Sequence, residues 1–352
     1  MKKILALTMM ILVFSGLLSC TPANTNKPLE KVVVQAGWIL NGEYAPECSA
    51  LVNGYYKEEG LDVELRPGGP SGSSFLVSTL ILAQDPEVDI AISGDVVELI
   101  RGRAKSEKPE GQLRVKMFAS LWQENPLGFI VRGDSGLNSL KDLAKLKPDG
   151  TEYIIGAPAG FSDVFLPALA SYIGVDLKDL KIVQTGFDAS PFLAGQVDAL
   201  IAFWTTQAYE VEAANIPYRF LSMSEIPGFS QPSHVIMARE ETLQQKPDLL
   251  EKWLRATIKG AQYNIEHPEE SGKQILDSRC GGANFDSKQE TWLIQKSRTL
   301  YEINGSLNKI GYMNKDQIMG YMNIYWEYKQ IPRLLVDKEI MDFSILDRLY
   351  GK

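Results

Sequence analysis

The feature that most constrains this chain is a twice-repeated alternation of short β-branched runs with helix-like stretches. Residues 31–36 (KVVVQA) read as a strand, 47–60 as a helix and 61–65 (LDVEL) as a second strand. A Gly-rich turn, GGPSGSS, then opens a helix expected over residues 74–85, and 88–93 (VDIAIS) form a third strand. A β-α-β-α-β order predicts a parallel sheet with helices on its faces and right-handed connections. The pattern restarts at 153–157 (YIIGA) and continues through a helix over 163–174, a strand at 180–185, a short helix near 190–196 and a strand at 199–203. Strands at 114–119 and 128–132 flank a loop holding Trp122, and further strands are expected at 218–221 and 233–238. Beyond them the chain reads as mainly helical. Leu250, Trp253, Leu254, Thr257, Ile258 and Ala261 form one stripe from Asp248, ending before Pro268. Helices are also expected over 287–304 and 314–329, and Trp253, Trp292 and Trp326 read as core.

With 352 residues, the chain can hold one large or two medium domains. Its net charge of −8 disfavours a non-specific nucleic-acid binder, which needs clustered Lys and Arg. Two histidines and three cysteines leave little for a zinc site or for His-dependent catalysis. Neither H-E-x-x-H nor Cys-x-x-Cys occurs, so no metal site and no cofactor are expected, and His234 and His267 read as structural or surface residues.

The first residues read as an address. Lys2 and Lys3 precede an apolar run over 4–18, shorter than the ~20 residues that span a bilayer. The run ends in Leu17-Leu18-Ser19-Cys20 and a polar stretch follows, which resembles a bacterial lipoprotein signal with Cys20 as the lipidated (palmitate-bearing) residue. On this reading 1–19 are a signal peptide and 20–30 a tether. Cys48 and Cys280 remain; they either pair in an oxidising compartment or stay as two buried thiols.

Trp38 follows the first strand, and the next helix ends in Gly54-Tyr55-Tyr56-Lys57-Glu58-Glu59-Gly60-Leu61-Asp62-Val63. In the second half IGAPAG precedes GVDLKDLKIVQTG and the segment Gly195-Gln196-Val197-Asp198-Ala199. Over about residues 31–270 these motifs resemble the periplasmic solute-binding proteins of ABC importers, in the group that binds sulfonates, the thiamine pyrimidine precursor or riboflavin. The resemblance implies an α/β, two-lobed type II binding-protein fold, with parallel-rich sheets flanked by helices and a ligand cleft between lobes. Lobe 1 would combine 28–122 with 234–352, and lobe 2 would be 123–233. It further implies a monomeric protein outside the cytoplasm, lipid-anchored on the periplasmic side of the membrane, that serves an ABC permease and its ATPase.

Open α/β sheets bind ligands at the carboxyl ends of their strands, and the informative loops here lie at such ends. Trp38, Asn41, Glu43 and Tyr44 offer flat faces and directional hydrogen bonds suited to a planar heterocycle, though a surface loop would look alike. Gly69 and Ser71 sit in the Gly-rich turn, and Ser93, Gly94 and Asp95 end the third strand; either loop could line the cleft or be ordinary turn chemistry. Gly160, Phe161, Ser162 and Asp163 hold the matching place in the second half, where Ser162 is either a ligand contact or an N-cap. Asp188 sits in a further loop, Trp204 is a candidate second stacking wall opposite Trp38, and Trp122 shapes either the cleft or the hinge.

The leading expectation is a binder of a planar heterocycle, a thiamine-type pyrimidine first and a flavin-like ring second, captured by lobe closure. An alkyl sulfonate, taurine or nitrate is the alternative. The acidic loop residues Glu43, Asp95 and Asp163 disfavour an anion, and Arg66 and Arg101 lie outside the motif centres. A pyrimidine synthase-like enzyme of the same superfamily is the remote reading. The Cys-rich motif and sacrificial histidine of those enzymes are missing, so the chain is expected not to be an enzyme.

Overall fold

The computed structural model describes residues 28–71, 74–108, 111–158 and 164–351. The expectations placed on residues 1–27, including the signal and Cys20, lie outside the described residues, as do those on Gly160, Phe161, Ser162 and Asp163.

Two five-stranded sheets organise the chain. The first contains β1 (Glu30–Gln35), β2 (Leu61–Arg66), β5 (Ile90–Ser93), β6 (Val115–Trp122) and β12 (Ser233–Arg239), in the order β2-β1-β5-β12-β6. The second contains β7 (Leu127–Arg132), β8 (Ile154–Pro158), β9 (Lys181–Thr185), β10 (Ala199–Phe203) and β11 (Tyr218–Ser222), in the order β11-β7-β10-β8-β9. The α/β architecture agrees with expectation, but the sheets are mixed. β1 runs parallel to β2 and β5, whereas β12 is antiparallel to β5 and β6. In the second sheet β8 is parallel to β9 and β10, and β7 is antiparallel to β10 and β11. The reversed strands are β7 and β12, each the first strand after a passage between the sheets and neither led in by the crossover helix that a parallel neighbour needs.

Helices cover the sheet faces. In the first half these are α1 (Ala45–Val52), α2 (Tyr55–Glu58), α3 (Ser78–Gln84) and α4 (Val97–Ala104), and in the second α5 (Phe165–Ile173), α6 (Ser190–Leu193) and α7 (Gln207–Ala213). The helix expected over 47–60 is two pieces, because Gly54 takes a φ of +81° that ends α1 and starts α2. The Gly-rich turn does not open a helix directly. Gly69–Ser71 (β3) and Ser74–Leu76 (β4) pair as a small antiparallel hairpin, and α3 starts only at Ser78.

The C-terminal part is helical: α8 (Glu240–Gln245), α9 (Pro247–Glu266), α10 (Pro268–Gln274), α11 (Ser287–Ser297), α12 (Lys315–Glu327), α13 (Asp337–Ile340) and α14 (Ser344–Tyr350). The stripe on α9 is buried as its spacing predicts, with Leu250, Trp253, Leu254 and Ala261 out of water. α9 lies so close to α1 that a Cβ at Gly260 would stand 2.1 Å from the Pro46 carbonyl oxygen. A disulfide joins Cys48 of α1 to Cys280, with Cα atoms 5.8 Å apart, and pins the segment before α11 to the first half. Trp326 departs from the core assignment and is 43% exposed. No described helix is long and apolar enough to cross a membrane.

Two passages connect the halves, from Trp122 to Leu127 and from Ser222 to Ser233. Gln317 of α12 ties them together, its side-chain amide donating to the Gln123 carbonyl at 2.9 Å and to Ser230 Oγ at 2.8 Å.

Candidate functional site

The carboxyl ends of β1 and β10 meet between the sheets. After β1 the chain turns through Gly37 and Trp38 into a 3-10 turn at Gly42–Tyr44. Gly68 backs this turn. Its N–H donates to the Trp38 carbonyl at 2.8 Å, and a Cβ there would lie 2.3 Å from the Ala36 carbonyl oxygen, so only glycine fits. Tyr44 is buried, and its hydroxyl accepts the N–H groups of both Gly37 and Trp38 at 3.0 Å. Burial raises the Tyr44 hydroxyl pKa well above its ordinary value, which keeps it a neutral hydroxyl. Tyr44 therefore fixes the Trp38 backbone from below. Asn41 is likewise buried, and its side-chain oxygen accepts the Glu43 N–H at 3.1 Å as the cap of the turn.

Glu43 reaches across between the halves. Its Oε1 accepts hydrogen bonds from Thr205 Oγ1 at 3.3 Å and Thr206 Oγ1 at 3.4 Å, both just past β10. Burial raises its pKa, while His234 and the two threonine hydroxyls favour the charged form. Glu290 of α11 accepts the Gly42 N–H beside it. Burial, together with the nearby Glu43 and Asp286 and against the Gly42 hydrogen bond, lifts the Glu290 carboxyl to about 7.

Below them lies a buried polar floor. His234 Nε2 is 2.9 Å from Glu47 Oε1, and the imidazole lies between the rings of Tyr44 (5.2 Å) and Trp122 (5.8 Å). His234 takes a φ of +52° at the start of β12, a costly conformation for a residue with a Cβ. It is structural, as expected, but central to the site rather than at the surface. Trp122 is buried against His234 and Tyr301 and forms part of this floor instead of a cleft wall.

Trp38 meets the second half through Phe187, with ring centroids 5.9 Å apart and planes at 57°. Trp204 does not hold the place expected of it. Its half-buried ring packs at 6.5 Å against Phe220 of β11 instead. Phe187 was missed, although it follows β9 as Trp38 follows β1; an aromatic at a strand's carboxyl end was the available signal. Gln207 holds that loop, its amide donating to the Phe187 carbonyl, while Phe187 itself is 42% exposed. Asp188 is exposed and accepts the Ser190 N–H at 2.9 Å, an Asx-type turn just ahead of α6.

After β5, Ser93 Oγ accepts the Asp95 N–H at 3.4 Å and Asp95 accepts the Val97 N–H at 2.9 Å, so both groups are turned into their own loop. Burial raises the Asp95 pKa. The Gly94 carbonyl accepts from Asn125 and Ser233 on the two passages. Gly69 and Ser71 lie in the β3–β4 hairpin, with Gly69 against Ile39 of the Trp38 loop. The structure thus brings Trp38, Glu43, Phe187, Thr205 and Thr206 together. It places Asn41, Tyr44 and Trp122 as supports, and Asp95 and Asp188 in self-satisfied turns. Among the described residues no cluster of His, Cys, Asp and Glu could hold a metal ion.

Two mixed sheets in this strand order, linked by two passages and facing one another through strand-end loops, are the fold of the periplasmic binding proteins. The chain is similar to the sulfonate ABC transporter protein SsuA of Methylobacillus flagellatus (TM-score 0.61, 18% identity, 92% of this chain and 96% of that one). It is also similar to the nitrate-binding protein NrtA of Synechocystis (TM-score 0.63, 15% identity, 91% and 88%). At such identities the likeness concerns the fold alone.

The chain belongs to the NMT1/THI5-like family, whose model matches residues 41–271. One relative is the Halalkalibacterium halodurans formylaminopyrimidine-binding protein, 26% identical with 82% of each chain covered. Another, from Legionella pneumophila, is named 4-amino-5-hydroxymethyl-2-methylpyrimidine phosphate synthase and is 26% identical over 90% of this chain and 94% of its own. This overturns the expectation of a chain set apart from enzymes. Relatives named as synthases match nearly its whole length, and one fold can host binding and chemistry alike.

Proposed function

We propose that the chain captures a small planar heterocycle of the aminopyrimidine class between its two halves. The observation that carries the proposal is the convergence of an indole, a phenyl ring, a half-buried carboxylate and two threonine hydroxyls at the ends of β1, β9 and β10. The rings supply flat apolar faces, and Glu43 supplies an acceptor for an amino group or a protonated ring nitrogen. A carboxylate repels an anion, which disfavours the sulfonate and nitrate of the solved structures' names. Both the binding-protein and the synthase relatives carry an aminopyrimidine in their names, which supports the same ligand class. A flavin ring, in the name of a Chloroflexus aurantiacus relative, is the second reading, favoured by the exposed Phe187 edge that a larger ring could extend over.

On this reading residues 28–122 with 234–352 and residues 123–233 move as two lobes about the passages braced by Gln317. The protein works outside the cytoplasm as a monomer tethered through lipidated Cys20, handing ligand to an ABC permease with its ATPase. Isothermal titration with 4-amino-5-hydroxymethyl-2-methylpyrimidine, riboflavin and an alkyl sulfonate tests the ligand. Heat with the pyrimidine and none with the sulfonate is expected; tight sulfonate binding with silence from both heterocycles would reverse the assignment.

A further inference from the structure

A second contact between the halves lies away from the ring pair, and it centres on Glu212 of α7. Trp292 of α11 donates its indole N–H to Glu212 Oε2 at 2.8 Å, and Lys296, one turn further along α11, reaches Glu212 Oε1 at 3.3 Å. Tyr218 of β11 donates to the same carboxylate at 2.9 Å from within the second half. Burial works against the charge on Glu212, but donation from Trp292, Tyr218 and Lys296 outweighs it and holds the carboxyl below its ordinary pKa. The Trp292 ring packs edge-on to Tyr209 at 5.5 Å and against the apolar cluster of the second half that includes Ile130, Phe192 and Val211.

α11 nevertheless belongs to the first half. It packs on α9, α10 and the Gly42–Tyr44 turn, and the Cys48–Cys280 bond anchors the segment ahead of it. Two residues before Trp292, Glu290 holds the Gly42 N–H, next to the Glu43 that reaches Thr205 and Thr206. One short helix thus carries a support of the candidate ligand loop and both first-half partners of Glu212.

We propose that α11 is a closure strut and that Glu212, Trp292 and Lys296 form a latch favouring the arrangement in which the two halves meet. They are positioning residues, acting by raising the population of the binding-competent form. Apparent affinity falls in proportion to that population. The affinity part of the inference rests on the ligand reading above; the latch itself does not.

The test uses the full mature chain with its disulfide intact. Trp292→Phe keeps the ring and removes the N–H, and Glu212→Gln keeps the shape and removes the charge. Small-angle scattering without ligand is expected to show a larger radius of gyration in both variants, with unchanged circular dichroism. Titration with 4-amino-5-hydroxymethyl-2-methylpyrimidine is expected to show about a tenfold weaker Kd, the size of one lost hydrogen bond to a charged group at a partly exposed site. Scattering identical to wild type in both variants overturns the latch, whatever the titration shows. An opened profile with unchanged Kd overturns the coupling to ligand. If wild type binds none of the three probes, the ligand reading fails while the scattering still decides the latch. Should Trp292→Phe lose its native dichroism, Lys296→Met, which removes only the cation, takes its place.

Discussion

Replacing Glu290 by Gln tests the electrostatics beneath the ligand loop, and its sign follows from linkage. Glu290 is buried, and its carboxyl is lifted from 4.5 to about 7. An acid whose folded pKa is raised binds its proton more tightly in the native state. Stability therefore falls as pH rises from 4.5 to about 7 and levels off above that window. The shift corresponds to roughly 3 kcal/mol at most. Gln has the same shape, still accepts the Gly42 N–H and carries no charge. The variant and wild type should be close in stability at pH 4.5, and the variant should gain by roughly 2–3 kcal/mol by pH 8. Urea unfolding at a series of pH values, with midpoints compared at equal slope, reads this directly. A stability difference that stays flat from pH 4.5 to pH 8 would refute the claim that burial raises the carboxyl there.

Trp38→Ala should weaken heterocycle binding at least tenfold without a change in dichroism, whereas Trp204→Ala, which loses a ring packed on Phe220, should act mainly on stability. Equal losses of affinity from the two, read by titration calorimetry, would restore Trp204 as a wall. Cys280→Ser removes the link that closes a long loop and should cost about 2–5 kcal/mol in denaturant unfolding. A variant as stable as wild type would show that the bond contributes nothing to the native state.

Most strands could be read locally, since a β-branched run between turn residues has few other uses; β1, β2, β9 and β10 fall within a residue or two of expectation. The hairpin over 69–76 could not, because Gly-Pro-Ser chemistry serves a β-turn and a helix start equally well. His234 carried no signal either. Its positive φ and its partner Glu47 arise from where β12 re-enters the first sheet, and Trp292 looked like any apolar helix residue until α7 was set beside it.

Local pattern thus determined the alternation of elements, the two halves and the strand-end position of Trp38 and Glu43, because hydrophobic period and turn chemistry act over a few residues. Tertiary structure alone decided that Phe187 rather than Trp204 faces Trp38, that Tyr44 and Asn41 turn hydrogen-bonding oxygens onto the backbone of their own loop, and that Cys48 meets Cys280. Those outcomes depend on the direction a side chain takes once two sheets are brought face to face. No property of a residue's immediate neighbours in the chain encodes that direction.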